Sequence, residues 1–136
     1  MSFATKHHPV VHDAVAPDGS HVRVLLTLAG GSAAHFELGS GQTSVAVRHR
    51  TVEEIWYVLG GDGEKWRSEG SREETVVVHA GTCLTIPVAT TFQFRCTGAT
   101  ALCAVGITMP PWPGDGEAVL SDGPWEPTVT AGPGLG

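Results

Sequence analysis

The sequence predicts an all-β domain with few or no helices. Three observations carry this expectation: short runs of apolar residues with a period of two, turn signals between almost all of them, and 18 glycines and nine prolines among 136 residues. In a helix interior Gly costs about 1 and Pro about 3 kcal/mol relative to Ala, so a chain this rich in both is not built from long helices. The length suits a single domain, and 41% hydrophobic residues are enough for a core.

The runs follow one another in order. His21 to Ala29 (HVRVLLTLA) places Val22, Val24, Leu26 and Leu28 on one parity until Gly30-Gly31 breaks it. Ala33 to Leu38 is a second short run. Gly39 to Gly41 turns the chain into Thr43 to His49, where Val45, Val47 and His49 share a face. Glu54 to Leu59 (EIWYVL) is apolar on both faces, the pattern of a strand sandwiched between layers. Gly60-Gly61-Asp62-Gly63 is a hairpin signal leading into Glu64 to Arg67. Thr75 to His79, Thr82 to Ile86, Thr91 to Cys96 and Thr100 to Thr108 complete eight or nine short strands. Such spacing fits a sandwich or barrel, of jelly-roll or Greek-key type.

Both ends depart from this rhythm. Residues 1–20 form an N-terminal arm carrying His7, His8 and His12, with room for one edge strand, and residues 21–109 form the barrel. Residues 110–136 hold six of the nine prolines and are expected to strap one end of the barrel, with no regular strand interior and a loose terminus.

Composition excludes several classes. Eight basic against 14 acidic residues give a net charge of −6, without the basic footprint of a nucleic-acid binder. No apolar run approaches the roughly 18 residues of a membrane span, and the opening MSFATKHHPVV has no signal-type apolar run, so a cytoplasmic setting is expected. Cys83, Cys96 and Cys103 form no C-x-x-C pair and read as small buried hydrophobes in a reducing compartment.

Residues 41–61 resemble the first signature of the cupin superfamily, G-x5-H-x-H-x4-E-x6-G. Gly41, His49, Glu54 and Gly61 stand at the motif spacing, and Val47 stands where the first histidine would be. The second signature, G-x5-P-x-G-x2-H-x3-N, is matched by Gly81 and Pro87, with Ala89, Phe92 and Cys96 at its remaining positions. The resemblance implies a cupin-type jelly-roll β-barrel, or double-stranded β-helix, and a homodimer. In metal-bearing cupins three histidines and a glutamate converge on a divalent ion. Val47 and Phe92 offer no lone pair, and two remaining ligands hold a first-row metal poorly. No cofactor is therefore expected. Iron, manganese or zinc would require His35 to join His49 and Glu54, and strand alternation with Phe36 opposes an inward His35.

His49 and Glu54, if both face the barrel interior, form an ionisable pair in an apolar cup lined by Val45, Val47, Trp56, Phe92 and Phe94. A histidine oriented by a carboxylate is a competent acid or base. The sequence thus points to a small, largely apolar organic ligand and to metal-independent isomerisation, epimerisation, cyclisation or dehydration. The alternative is a non-catalytic metabolite-binding or sensor protein. A lesser alternative is a metal-dependent oxygenase with the rebuilt His35, His49 and Glu54 site.

Overall fold

The structure is a computed structural model describing residues 2–135. Eleven strands and no helix make up the described chain: β1 (Ala14–Val15), β2 (His21–Leu28), β3 (Gly31–Leu38), β4 (Ala46–His49), β5 (Glu53–Gly60), β6 (Asp62–Ser68), β7 (Glu73–His79), β8 (Cys83–Ile86), β9 (Thr91–Cys96), β10 (Leu102–Met109) and β11 (Ala118–Ser121). They pair antiparallel in two sheets, ordered β1-β2-β3-β10-β5-β8 and β11-β4-β9-β6-β7.

Alternation decides what faces inward. Trp56 and Val58 from β5, Leu102 and Ala104 from β10, and Phe92 and Phe94 from β9 meet in one core between the sheets. The expectation of a doubly covered EIWYVL strand is corrected here. Its odd positions Ile55, Tyr57 and Leu59 are exposed, because nothing packs on the outer face of the six-stranded sheet at β5.

Two motif positions have clear backbone reasons. Gly61 has φ +84°, and a side chain there would run into the Ala101 carbonyl, so the β5–β6 hairpin closes tightly only on glycine. Ala89 occupies the motif's second glycine position and still adopts φ +65°, a left-handed backbone that costs a non-glycine residue about 1 kcal/mol or more.

The ends differ from expectation. The arm contributes β1 and is held further by Arg23, which donates to the Pro9 and Val10 carbonyls. The Pro-rich tail does contain a strand, β11, an edge partner of β4 lying between prolines. Residues 132–134 are tied to the arm: Gly132 and Gly134 donate to the Ala16 and Val15 carbonyls. Fully buried Gln93 donates to the Ser44 and Trp125 carbonyls and accepts from Trp125 N–H, which pins the tail to the barrel wall. Among the described residues no helix is long and apolar enough to cross a membrane.

Candidate functional site

A cavity of about 300 Å³ opens at one end of the barrel, walled by Phe36, Val47, Trp56, Phe92 and Trp112. Its polar side chains are few: Asp18, Thr27, Ser32, His49, Glu54 and Thr108. Register explains their grouping. Thr108 on β10 pairs with Ser32 of β3 on one side and with Glu54 of β5 on the other, so three polar side chains form a row across one sheet. The Ser32 and Thr108 hydroxyls are 2.6 Å apart, and Trp112 N–H donates to Ser32 Oγ, which draws the strap over the cavity.

His49 comes from the opposite sheet. It ends β4, and only the loop 50–52 separates it from β5, so the short motif spacing makes the chain cross between sheets and brings the two side chains face to face. Buried Glu117 holds that loop by accepting hydrogen bonds from Thr51 N–H, Thr51 Oγ and Val52 N–H. Burial opposes the Glu117 charge, but these hydrogen bonds outweigh it and hold its carboxyl below the usual range.

His49 Nδ1 lies 3.6 Å from Glu54 Oε1, just beyond hydrogen-bond reach, and neither atom has another partner. Burial dominates both groups. It pushes Glu54 up to about 7, against the pull of the Lys65 charge and of the nearby Trp56 N–H, which lies outside hydrogen-bonding geometry. It lowers His49 to about 4, with Glu117 opposing and Lys65 adding to the effect. Across the interval between these values the proton resides on Glu54 and the imidazole is neutral, so the pair is not an imidazolium–carboxylate. Edge-on contacts from Phe92 (5.2 Å) and Trp112 (5.0 Å) fix the His49 ring.

The sequence reading is corrected at two residues, Val45 and Phe94, and holds at Cys96 and His35. Val45 is only half-buried and lies outside the cavity wall, its N–H bonded to the Asp18 carbonyl before β4 begins. Phe94 is behind the wall, edge-on to Trp56 at 5.1 Å, and Cys96 is core. His35 points out of the barrel, opposite in parity to Phe36, and is buried beneath the arm with His8 edge-on at 4.5 Å. The His35, His49 and Glu54 set is therefore not assembled. Among the described residues no three His, Cys, Asp or Glu side chains are grouped to hold a metal ion, and Val47 packs beside Phe92 where two histidines would be needed. The metal that the cupin resemblance implies does not fit these residues.

Sequence reasoning missed Asp18, Lys65, Gly106 and Glu117. Lys65 sits in a hairpin among charged neighbours, yet it is 1% exposed. The available signal was its parity with Gly63, an inward position on β6.

No family model matches the chain, and no curated protein matches its sequence. Its fold is shared with solved structures. An uncharacterized conserved protein with a double-stranded β-helix domain from Klebsiella pneumoniae matches with a TM-score of 0.64 and 16% identity, over 76% of this chain and 85% of that one. A predicted oxalate decarboxylase from Thermotoga maritima matches at 0.62 and 17%, over 74% and 92%. An oxalate oxidase in complex with glycolate matches at 0.65 and 23%, over 77% of this chain and 56% of that one. The eleven strands and these neighbours agree: the chain carries a double-stranded β-helix fold.

Proposed function

We propose that this protein binds a small, largely apolar organic molecule in the barrel mouth and carries out metal-independent proton transfer on it. The observation that supports this most is a neutral carboxyl and a neutral imidazole, 3.6 Å apart, at the wall of an aromatic cavity. A ligand there meets a proton donor beside a proton acceptor. His49 takes a proton from the ligand and Glu54 gives one back, and the imidazolium then returns its proton to the carboxylate across the short gap. That cycle leaves the pair unchanged, as isomerisation, epimerisation, cyclisation or dehydration requires. Ser32 and Thr108 supply hydroxyls to orient a polar substituent, and Trp112 excludes water.

A non-catalytic binding role is the second reading, favoured by the contact of Trp112 on His49, which partly covers the base. One experiment separates the two. Small cyclic ketones and phenols are screened by thermal shift, and bound ketones are followed in D2O for exchange of their α-protons. The expected result is stabilisation by at least one probe, weakened in Phe92→Ala, with exchange that His49→Ala abolishes. Binding with unchanged exchange in His49→Ala removes the enzymatic reading, and binding by no probe removes both.

Two copies are further proposed to pair through the outer face of the six-stranded sheet, where Ile55, Tyr57, Leu59 and Ile107 stand exposed side by side. Light scattering should find a dimer that Tyr57→Asp dissociates; a monomeric wild type refutes the pairing. Three free cysteines suit a reducing, cytoplasmic setting.

A further inference from the structure

The proposed chemistry leaves a fully buried lysine unused. Lys65 lies on β6, paired with Val76 of β7 and Phe94 of β9, and its side chain runs into the barrel. Its Nζ is 3.1 Å from the centre of the Trp56 ring, 4.5 Å from Phe92 and 5.0 Å from Phe94. It has no hydrogen-bond partner, and no carboxylate among the described residues comes within 4.0 Å of it. Trp56 and Phe92 line the cavity while Lys65 does not, so the amine stands behind the aromatic wall and out of ligand contact.

A leucine or methionine would fill this position without stranding three N–H donors. What lysine adds is a positive charge, and its surroundings suit one. Three π faces turn their negative quadrupoles toward Nζ, and the fields of Glu54 and Asp18 both favour its ammonium form. Phe92, one of the three rings, occupies a position where the family's metal-binding histidine would stand. The barrel that cannot assemble a metal site thus holds a cation of its own.

We propose that Lys65 is a positioning residue, a built-in ammonium that takes the electrostatic place of a divalent ion and governs the ionisation of Glu54 from behind Trp56. The inference deepens the reading of Glu54 as the acid of the site, but depends only on how that carboxyl ionises. The charged and titratable groups acting on Lys65 are Glu54 from β5, Asp18 from the loop after β1, and Arg67 on its own strand. Its charge acts in turn on His49 of β4. β7 and β9 present Val76 and Phe94 at the paired positions and add no charge there. Burial is the larger influence on the amine and lowers it to about 7, with Glu54 and Asp18 resisting.

Coupling of this kind is reciprocal: whatever Glu54 does to the proton affinity of Lys65, Lys65 does equally to Glu54. A lysine whose charge does not reach Glu54 would leave both midpoints where they are. The chain contains only two lysines, Lys6 and Lys65, so the full protein labelled with 13C,15N-lysine gives two side-chain signals. The Lys65 signal should be displaced by the indole ring current and should titrate well below the ordinary lysine value, near 7. In Glu54→Gln its midpoint should fall by about one pH unit or more. In Lys65→Met, 13C-glutamate labelling should show the Glu54 midpoint rising by the same amount.

Stoichiometric Mn2+ should leave the Lys65 signal sharp. Titration of Lys65 at the ordinary lysine value, no response to Glu54→Gln, or strong broadening by Mn2+ would each overturn the proposal. If Lys65→Met does not fold, the Glu54→Gln arm still decides it. Reciprocal shifts without ketone exchange would sink the catalytic reading alone. Exchange without reciprocal shifts would sink only the role of Lys65.

Discussion

Glu54→Gln and His49→Gln are expected to tilt the pH dependence of stability in opposite directions. Glu54 titrates at about 7 when folded, against the usual 4.5. Between those values the folded state holds a proton that the unfolded state has lost, so this carboxyl makes stability fall as pH rises, and the loss is complete above 7. His49 titrates at about 4 when folded, against the usual 6.5. Between those values it is the unfolded state that holds the extra proton. The stability of neutral His49 is fully present above 6.5 and is lost as pH falls toward 4. From pH 4.5 to 6.5 the two slopes have opposite signs, each about 1.4 kcal/mol per pH unit for one proton, and they cancel in the wild type. Glu54→Gln leaves the histidine slope, so relative to wild type the variant gains about 3 kcal/mol across the window as pH rises. His49→Gln leaves the carboxyl slope and loses about as much. Urea denaturation at pH 4.5, 5.5 and 6.5 measures both, and groups common to all three proteins drop out of the differences. Variants that merely parallel the wild-type curve would show that neither group is held in its neutral form.

The residues legible in the sequence are those whose position follows from spacing along one strand. The interval from His49 to Glu54 sets a sheet crossing, and alternation then turns Val47, His49, Glu54 and Trp56 inward, where the structure places them. What escaped depends on chain brought from a distance. Alternation opposed an inward His35, but its burial comes from the arm folding over the outer face, a contact that no pattern around His35 contains. The strand β11 was hidden by flanking prolines, which forbid a sheet interior but tolerate an edge. Lys65 was masked by charged neighbours: composition reads as solvated, while position in the hairpin reads as buried. When the two conflict, as they do here, the buried alternative marks a residue held for its charge.

Gly106 tests how tightly the Glu54 carboxyl is seated. It lies on β10 opposite Trp56 on one side and Ala34 on the other. A Cβ there would stand 2.6 Å from Glu54 Oε2, 2.9 Å from Phe36 Cε2 and 3.0 Å from Trp56 Nε1. Each contact alone could relax by moving a side-chain end. Together they cannot, because Phe36 and Trp56 are stacked at 5.1 Å and Trp56 is pressed from elsewhere by Phe94 and Lys65. Two effects favour substitution: a non-glycine residue stiffens the unfolded chain by about 0.4–1 kcal/mol, and a β-branched one suits a strand by up to about 1 kcal/mol. Overpacking a core costs about 1–3 kcal/mol and at times more, and valine adds two methyls beyond the clashing Cβ. Gly106→Val is therefore expected to lose about 3 kcal/mol in urea denaturation, and Gly106→Ala to lose less. Gly30→Ala, at a turn with nothing near the added atom, serves as the control and should be close to neutral. A Gly106→Val protein as stable as wild type would mean that Glu54 had swung away from Trp56. The carboxyl would then be a mobile group, not a seated acid, and Glu54 would no longer titrate near 7.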